Sequence, residues 1–512
     1  MDGMILSIDC GTQSVRALLF DRTGNLLAKE KEEFEPYYST QPGWSELNPE
    51  VYWDSACTAC QRMKGSAPEL WATIKAVVVT TLRDTCICVD KDGKVLRDAI
   101  VWMDQREAKC EQPLKAIHRA MFALVGMTKA IEVARRITKA NWIRENEPEI
   151  WEKTDKYLLV SGFFAHHMTG KFVDSVASTI GHIPFDYKKK RWPASKNHYN
   201  WDVFGVSREK LPDLVRPGES MGGLTAEAAR RMGLPEGLPV LAGASDKGCE
   251  TLGTGCLAPD SASISFGTTA TIQTTTKKYL EPIPFMPSYM AAVPDRFNPE
   301  IQIYRGYWMI SWFKKEFGER EVLEAQRLGV PAERLLDQHL GEVPPGSEGL
   351  MLQPYWTAGL RSPEAKGAII GFSDAHTRAH IYRAIIEGIN FALLDGMHSI
   401  EHCTKTRIGR IMVSGGGSQS DMICQITADM FNLPVSKGRT YEASGLGAAI
   451  IGYVSMGAFG SYEDAVDAMV HNEYVFQPDA EAAHKYRGLF SQIYQRIYKQ
   501  LQPLYKRMES LT

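Results

Sequence analysis

ILSIDCGTQSVRALLFD, residues 5–21, is two apolar runs joined by a short polar tip around Gly11 and Thr12. Alone, such a tip is a common hairpin turn. Its weight changes because the arrangement returns: SASISFGTTATIQTT, residues 261–275, is again strand, Gly-Thr tip, strand. Mixed strand and helix patterns follow each copy. The chain therefore reads as two α/β domains, each opening with a hairpin tipped by Gly-Thr, with the boundary between Thr251 and Asp260 and the domains set at 1–252 and 253–512. Glycine followed by hydroxyl residues leaves backbone N–H groups open to close approach, and such a nest binds phosphate oxygens. Two of them could clamp one polyphosphate.

The 512 residues exceed one ordinary hydrophobic core, which supports two domains. A formal net charge of −3 argues against a nucleic-acid partner. MDGMILSIDC lacks the features of a signal peptide, and no apolar stretch approaches the ~20 residues of a membrane span. The ten cysteines are scattered, several within apolar runs, as in a reduced cytoplasmic protein. The lone CxxC, Cys57 and Cys60, falls in a helical pattern and has no second pair for zinc.

Along the chain, strands are expected at Ile74–Thr80, Cys86–Val89, Ala99–Trp102, Pro239–Gly243 and Arg410–Val413. Helical periodicity dominates from Gln105 to about Gly170, in an amphipathic stretch Arg378–Cys403, and at Met422–Phe431 and Ser444–Tyr453. The polar strand exits carry the chemistry. Asp246 follows PVLAG and is either a helix N-cap or a carboxylate at the end of a buried strand, where α/β proteins place chemistry. Arg83 and Asp84 leave another strand, as a surface ion pair or a grip on adjacent hydroxyls. Trp102 and Asp104 leave a third, an aromatic face and a carboxylate suited to a sugar. SGGGSQS, residues 414–420, puts three glycines at a strand-to-helix junction.

Rival motifs are weaker. No GxxxxGK[ST] exists, and Gly445 and Gly447 approach a dinucleotide fingerprint only until Ile450. GESMG, residues 218–222, matches a nucleophile elbow around Ser220 but lacks the strand–turn–helix context. His166 and His167 are adjacent and cannot share a helix face as metal ligands.

In order, DCGTQS, TTLRDT, IVWMDQR, AGASDKG, SFGTT, SGGGS and EASGLGAA resemble the FGGY carbohydrate kinases, relatives of hexokinase and actin. GAIIGFSDAHTRAHIYRAIIE, residues 367–387, is similar to the family's C-terminal signature almost throughout, with Phe372 a departure; Lys139, Trp142, Ile143, Glu145 and Asn146 retain part of the N-terminal one, and PGWSELNP at 42–49 resembles the Gly-Trp-x-Glu segment. The resemblance implies two ribonuclease-H-like, actin/hexokinase-type α/β domains with a cleft between them. It implies Asp246 as the base that takes the proton of the attacking hydroxyl, with Asp9 and Asp246 near Mg²⁺. It implies an ATP site at Gly11, Thr12, Gln13, Ser14, Arg16, Gly267, Thr268, Thr269, Gly415, Gly416, Gly417, Ser418 and Ser420. Around the sugar it implies Glu46, Arg83, Asp84, Trp102 and Asp104; Lys247 is added as a substrate-side candidate from its place beside Asp246.

Three departures bear on the acceptor: Leu82 stands where Gln is frequent, Lys247 where Gln, Asn or Ala is usual, and Tyr307 where a glycine lies near the nucleotide. The Lys247 charge could lower the pKa of Asp246 or bind an acceptor oxygen. The layout is closer to xylulokinases, while Arg83-Asp84 resembles the Arg-Glu of glycerol kinases. The expected activity is transfer of the ATP γ-phosphoryl group to a terminal hydroxyl of a ketose such as xylulose. A polyol kinase and a non-catalytic sensor are the alternatives. No nucleic acid or membrane is expected as partner, and a homodimer is the family's frequent habit.

Overall fold

A computed structural model describes residues 3–284, 286–357 and 364–511. Contacts divide the chain into two units: Met1–Gly253 with Tyr289–Phe297 and Ser444–Val470, and Thr254–Ser288 with Asn298–Ala443 and His471–Thr512. The chain first changes unit after Gly253, and two later segments fold with the first unit. The reason for one return is visible. A Cβ on Gly447 would lie 1.9 Å from the Cys249 carbonyl oxygen, so the helix Ala443–Ser455 can lie this close only with glycine there. The Tyr453 hydroxyl also donates to the Phe20 carbonyl at 2.7 Å. The near-fingerprint at Gly445 and Gly447 is therefore a packing motif on a helix and not a dinucleotide turn.

The main sheet of the first unit has six strands, in the order Ser220–Gly223, Pro239–Leu241, Ile74–Thr81, Met4–Cys10, Ser14–Phe20, Leu26–Glu33. Pro239–Leu241, Ile74–Thr81 and Met4–Cys10 run parallel, and the outer strands are antiparallel to their neighbours. Every residue of Met4–Cys10 is buried, as continuous apolar strands of parallel sheets are. Residues of the helices Glu50–Ser66, Val160–Thr169 and Ala226–Met232 share one core cluster with it.

A smaller antiparallel sheet joins Glu46–Leu47, Ala99–Ile100, Cys86–Val89 and Lys156–Leu159. Its last strand interrupts the helical reading of residues 105–170. The apolar run YLL is buried and pairs with the buried CICV strand, so partner strands override local periodicity. The strand expected to reach Trp102 stops at Ile100.

The second unit repeats the plan. Its sheet runs Glu300–Ile303, Ala270–Gln273, Ser261–Phe266, Arg410–Ser414, Val435–Lys437, Tyr474–Phe476. An antiparallel triplet is followed by two parallel pairings and a final antiparallel one, as in the first unit. The duplicated design inferred from two tips is thus a duplicated topology. The helix Arg378–Thr404 is buried on every residue from Tyr382 to Leu394 and is not amphipathic there. Elements pack around it, and the Arg383–Glu387 pair at 2.8 Å satisfies the charges it takes inside.

Candidate functional site

In the first unit, register brings the candidate residues to one sheet edge. Cys10 pairs with Thr81, and Thr81 bridges Ser245. Asp9, Arg83 and Asp246 therefore stand at or just past the C-terminal ends of adjacent parallel strands, where α/β sheets bind ligands.

Asp246 opens the helix Asp246–Gly253 but does not cap it. Ser245 Oγ accepts the Gly248 N–H at 3.2 Å and fills the N-cap role. The Asp246 carboxylate is left for other work, with its Oδ1 accepting the Lys247 N–H at 2.7 Å. Its side chain keeps 30% exposure, and Arg83 Nε lies 3.6 Å away. Arg83 Nε also donates to Ser245 Oγ at 3.3 Å, and its guanidinium lies 5.0 Å from the Tyr289 ring. Burial raises the Asp246 pKa above its ordinary value, against the lowering charges of Arg83 and Lys247. A carboxylate raised in this way is a better general base. Lys247 Nζ meets Glu250 at 2.8 Å.

Asp84 has φ 54°, a left-handed conformation that aspartate tolerates better than most residues. Its Oδ2 accepts Lys139 Nζ at 2.9 Å and His182 Nδ1 at 2.8 Å, and its Oδ1 accepts the His182 N–H at 2.8 Å. Burial acts to raise its pKa, but the His182 and Lys139 charges outweigh it and hold the carboxyl well below the usual range.

Glu46 and Asp104 come together, but both are already taken. Asp104 Oδ1 accepts Arg106 Nε at 2.8 Å, and its Oδ2 accepts Arg106 NH2 at 2.7 Å and the Ser45 N–H at 2.6 Å, with its side chain only 1% exposed. Glu46 Oε1 accepts Arg106 at 2.9 Å and Arg97 at 2.5 Å. The Arg106 guanidinium also lies 3.9 Å from the Trp44 ring centroid and 4.6 Å from that of Trp142. These carboxylates buttress the 44–46 and 102–106 segments, and the Asp104 oxygens are bonded to Arg106 and the Ser45 N–H. Trp102 remains partly exposed, and its indole N–H donates to Thr12 Oγ1 at 3.1 Å, which ties it to the first tip. At that tip the Gly11 N–H bonds the Ser14 carbonyl at 3.0 Å, Gln13 is exposed, and Arg16 pairs with Asp9 at 3.1 Å.

In the second unit, Ser265 pairs with Ser414, so the Gly267–Thr269 tip and the glycine loop leave neighbouring strands side by side. Thr268 is exposed, and Thr269 Oγ1 donates to the Tyr304 carbonyl at 3.1 Å. Gly415 has φ 80°, and a Cβ there would come within 3.0 Å of the Phe266 backbone. A 3₁₀ turn spans Gly416–Gln419, and Ser418 Oγ donates back to the Gly415 carbonyl at 2.7 Å. Ser420 Oγ caps the helix Asp421–Phe431 through the Ile423 N–H at 3.2 Å. The loop glycines thus lead directly into a helix start, a backbone setting in which anions bind. Tyr307 is buried against Phe266 with ring centroids 4.8 Å apart, beneath this loop. Its bulk fills the space that a side chain at 417 would need.

The rival motifs dissolve. Ser220 starts an edge strand paired with Leu241, not an elbow. His166 stacks on Phe172 at 4.3 Å and His167 on Trp53 at 5.2 Å.

Family models of carbohydrate kinases match both units' sequence: the N-terminal domain at residues 4–253 and the C-terminal domain at 262–456. The chain belongs to the FGGY family of carbohydrate kinases. It is 28% identical to a xylulose kinase of Lactococcus lactis, over 97% of this chain and 96% of that protein. It is 26% identical to a gluconokinase of Bacillus subtilis, over 96% and 94%. The crystal structure of xylulose kinase from Rhodospirillum rubrum superposes with a TM-score of 0.82 at 25% identity, covering 98% of this chain and all (100%) of that one. As an FGGY kinase the chain is a phosphotransferase that uses ATP and a sugar hydroxyl as acceptor. The family's C-terminal signature acquires a structural meaning: Glu387 accepts Arg383, the Tyr486 hydroxyl at 2.6 Å and the Gly346 N–H at 3.0 Å inside the second unit.

Sequence reasoning missed Ser245 as the cap, His182 and Tyr289. Ser245 was findable, because Ser precedes the helix it caps. His182 and Tyr289 lie far along the chain from Asp84 and Arg83, and no local pattern marks them.

Proposed function

We propose that this FGGY kinase phosphorylates the terminal hydroxyl of an open-chain ketose such as xylulose, with Asp246 as general base. The carrying observation is Asp246 itself: a partly exposed carboxylate at a parallel-strand end, released from capping by Ser245 and raised in pKa by burial. Arg83 and Trp102 are the acceptor-side residues, and Lys247 acts through its charge on Asp246. The likeness to xylulose kinases along nearly the whole chain supports the ketose. A polyol acceptor and a sensor without catalysis are less favoured, since the sensor has no use for the base.

The ATP reading assigns the β- and γ-phosphates to the tips Gly11–Ser14 and Gly267–Thr269, with Arg16 near the first, and adenosine to Gly415–Ser418 and Ser420. Phosphoryl transfer asks for positioning and charge neutralisation more than covalent chemistry. Asp9 and Asp246 fit a magnesium ion. Both are hard oxygen donors; Asp9 is buried near the C-terminal end of the strand Met4–Cys10, and Asp246 lies just past the strand Pro239–Leu241 of the same sheet. Mg²⁺ usually takes one or two carboxylates and completes its shell with phosphate and water. When bound it would neutralise charge on the transferring phosphoryl group.

All ten cysteines are free, and among the described residues no helix is long and apolar enough to cross a membrane, which supports a cytoplasmic kinase. A homodimer follows the family's habit and is checked by sedimentation. An ADP-release screen over pentuloses, hexuloses, sugar acids, tetritols and glycerol tests the activity. A ketose should give the strongest release, and no stimulation by any acceptor would overturn the reading.

A further inference from the structure

The charges assembled at Asp84 leave one group unspent. The carboxylate of Asp84 can only accept hydrogen bonds, so the proton in its 2.8 Å contact with His182 sits on Nδ1. Nε2 is then the remaining hydrogen-bonding position of the ring. Among the described residues Nε2 has no hydrogen-bond partner, and the His182 side chain is 35% exposed. Lys139, by contrast, is 4% exposed and reaches Asp84 from the buried side. The backbone fixes the ring as well, because the His182 N–H donates to Asp84 Oδ1 at 2.8 Å.

His182 also belongs to the cluster that holds Arg83. The Gly181 N–H donates to the Tyr187 hydroxyl at 3.3 Å. Tyr187 meets Tyr289 with ring centroids 5.5 Å apart, and Arg83 lies over Tyr289. The chain of contacts ends at Arg83 Nε, 3.6 Å from Asp246. An oriented, exposed ring nitrogen thus sits on the same scaffold as the residues around the base.

We propose that His182 is a specificity-determining residue that binds a non-reacting hydroxyl of the acceptor sugar through Nε2, with Asp84 and Lys139 positioning its ring. This rests on the kinase reading of Asp246. A sugar hydroxyl both donates and accepts, so it can bond Nε2 whether or not that nitrogen carries a proton, and no covalent bond is made or broken. A site built to bond a hydroxyl discriminates against an analogue that lacks it. Arg83 and His182 then divide the work: a guanidinium fixed beside the base, and an imidazole fixed by Asp84.

The test uses the full-length protein with D-xylulose, D-gluconate and glycerol as probes. ADP release identifies the best acceptor for the wild type, and His182→Ala, His182→Gln and Asp84→Asn are compared on it. His182→Ala should raise the acceptor KM about tenfold and leave the KM for ATP unchanged. His182→Gln should recover part of the loss, and Asp84→Asn should fall between wild type and alanine. A wild-type acceptor KM in folded His182→Ala would overturn the proposal. A readout without mutation covers a variant that fails to fold: diethyl pyrocarbonate labels the imidazole of wild-type protein, followed by mass spectrometry at His182. The acceptor should slow this labelling and ATP alone should not. No protection by the acceptor would overturn the proposal too. Absence of ADP release from wild type with every probe would instead sink the kinase reading, and this inference with it.

Discussion

Ser245 Oγ accepts the Gly248 N–H at 3.2 Å, so the helix that begins at Asp246 is capped by its neighbour. This separates the structural task from the chemical one by a single residue. A carboxylate that capped the helix would be tied to backbone N–H groups, and its removal would unfold the helix end and the site together.

Asp246→Asn should therefore fold like the wild type and lose turnover. The expected drop in kcat is about 10²–10⁴-fold, the usual worth of a positioned base. Calorimetric titration should show ATP binding within a few-fold of wild type. Retained turnover would remove Asp246 from the base role.

Lys247 and Arg83 lower the Asp246 pKa, while burial raises it. The base works deprotonated, so activity falls as pH drops through its pKa. Lys247→Met removes a lowering charge and should move the acidic limb of the kcat/KM profile to higher pH. Glu250→Gln unbinds the 2.8 Å partner of Lys247 and should move it the other way. Identical profiles in all three proteins would show that Lys247 has no electrostatic hold on the base.

Asp174 is buried among Ser161, Gly162 and Ser175 without a cation, and burial pushes its pKa up to about 7 from an ordinary 3.8. The folded state thus holds a proton that the unfolded state has released between those values. That contribution is complete below the ordinary value and is lost as pH rises through about 7. The Tm should decline between pH 5 and about 8, and Asp174→Asn should flatten that decline whatever it does to the Tm itself. An unchanged slope in the variant would remove Asp174 as its source.

Glu387 serves Arg383, Tyr486, Gly346 and Ser347 from inside the second unit. Removing one partner of a buried pair leaves the other uncompensated. Glu387→Ala should lower unfolding stability by about 3–5 kcal/mol in a urea titration. A loss under about 1 kcal/mol would mean that the arginine finds water or another partner.

The sequence by itself determined a good deal. The paired Gly-Thr tips announced a duplicated α/β plan, because apolar runs on both sides of a polar tip have few other ways to fold. The buried strands ending at Thr81 and Leu241 were legible for the same reason: short apolar runs closed by a polar exit are read locally. Asp246, Arg83 and the glycine loop were legible because each sits at the exit of such a strand. Only the tertiary structure decided what those residues touch. Arg106 takes the oxygens of Asp104 and Glu46, and His182, 98 residues beyond Asp84, closes on its carboxylate. Charge pairing across long chain separations leaves no periodic trace, since it depends on which loops the sheets bring together. The same holds for Ser444–Val470, which rejoins the first unit because a glycine face fits against Cys249. Local physics wrote the elements and their tips. Long-range packing assigned the partners, and so decided which charged groups are held inside and which stay exposed.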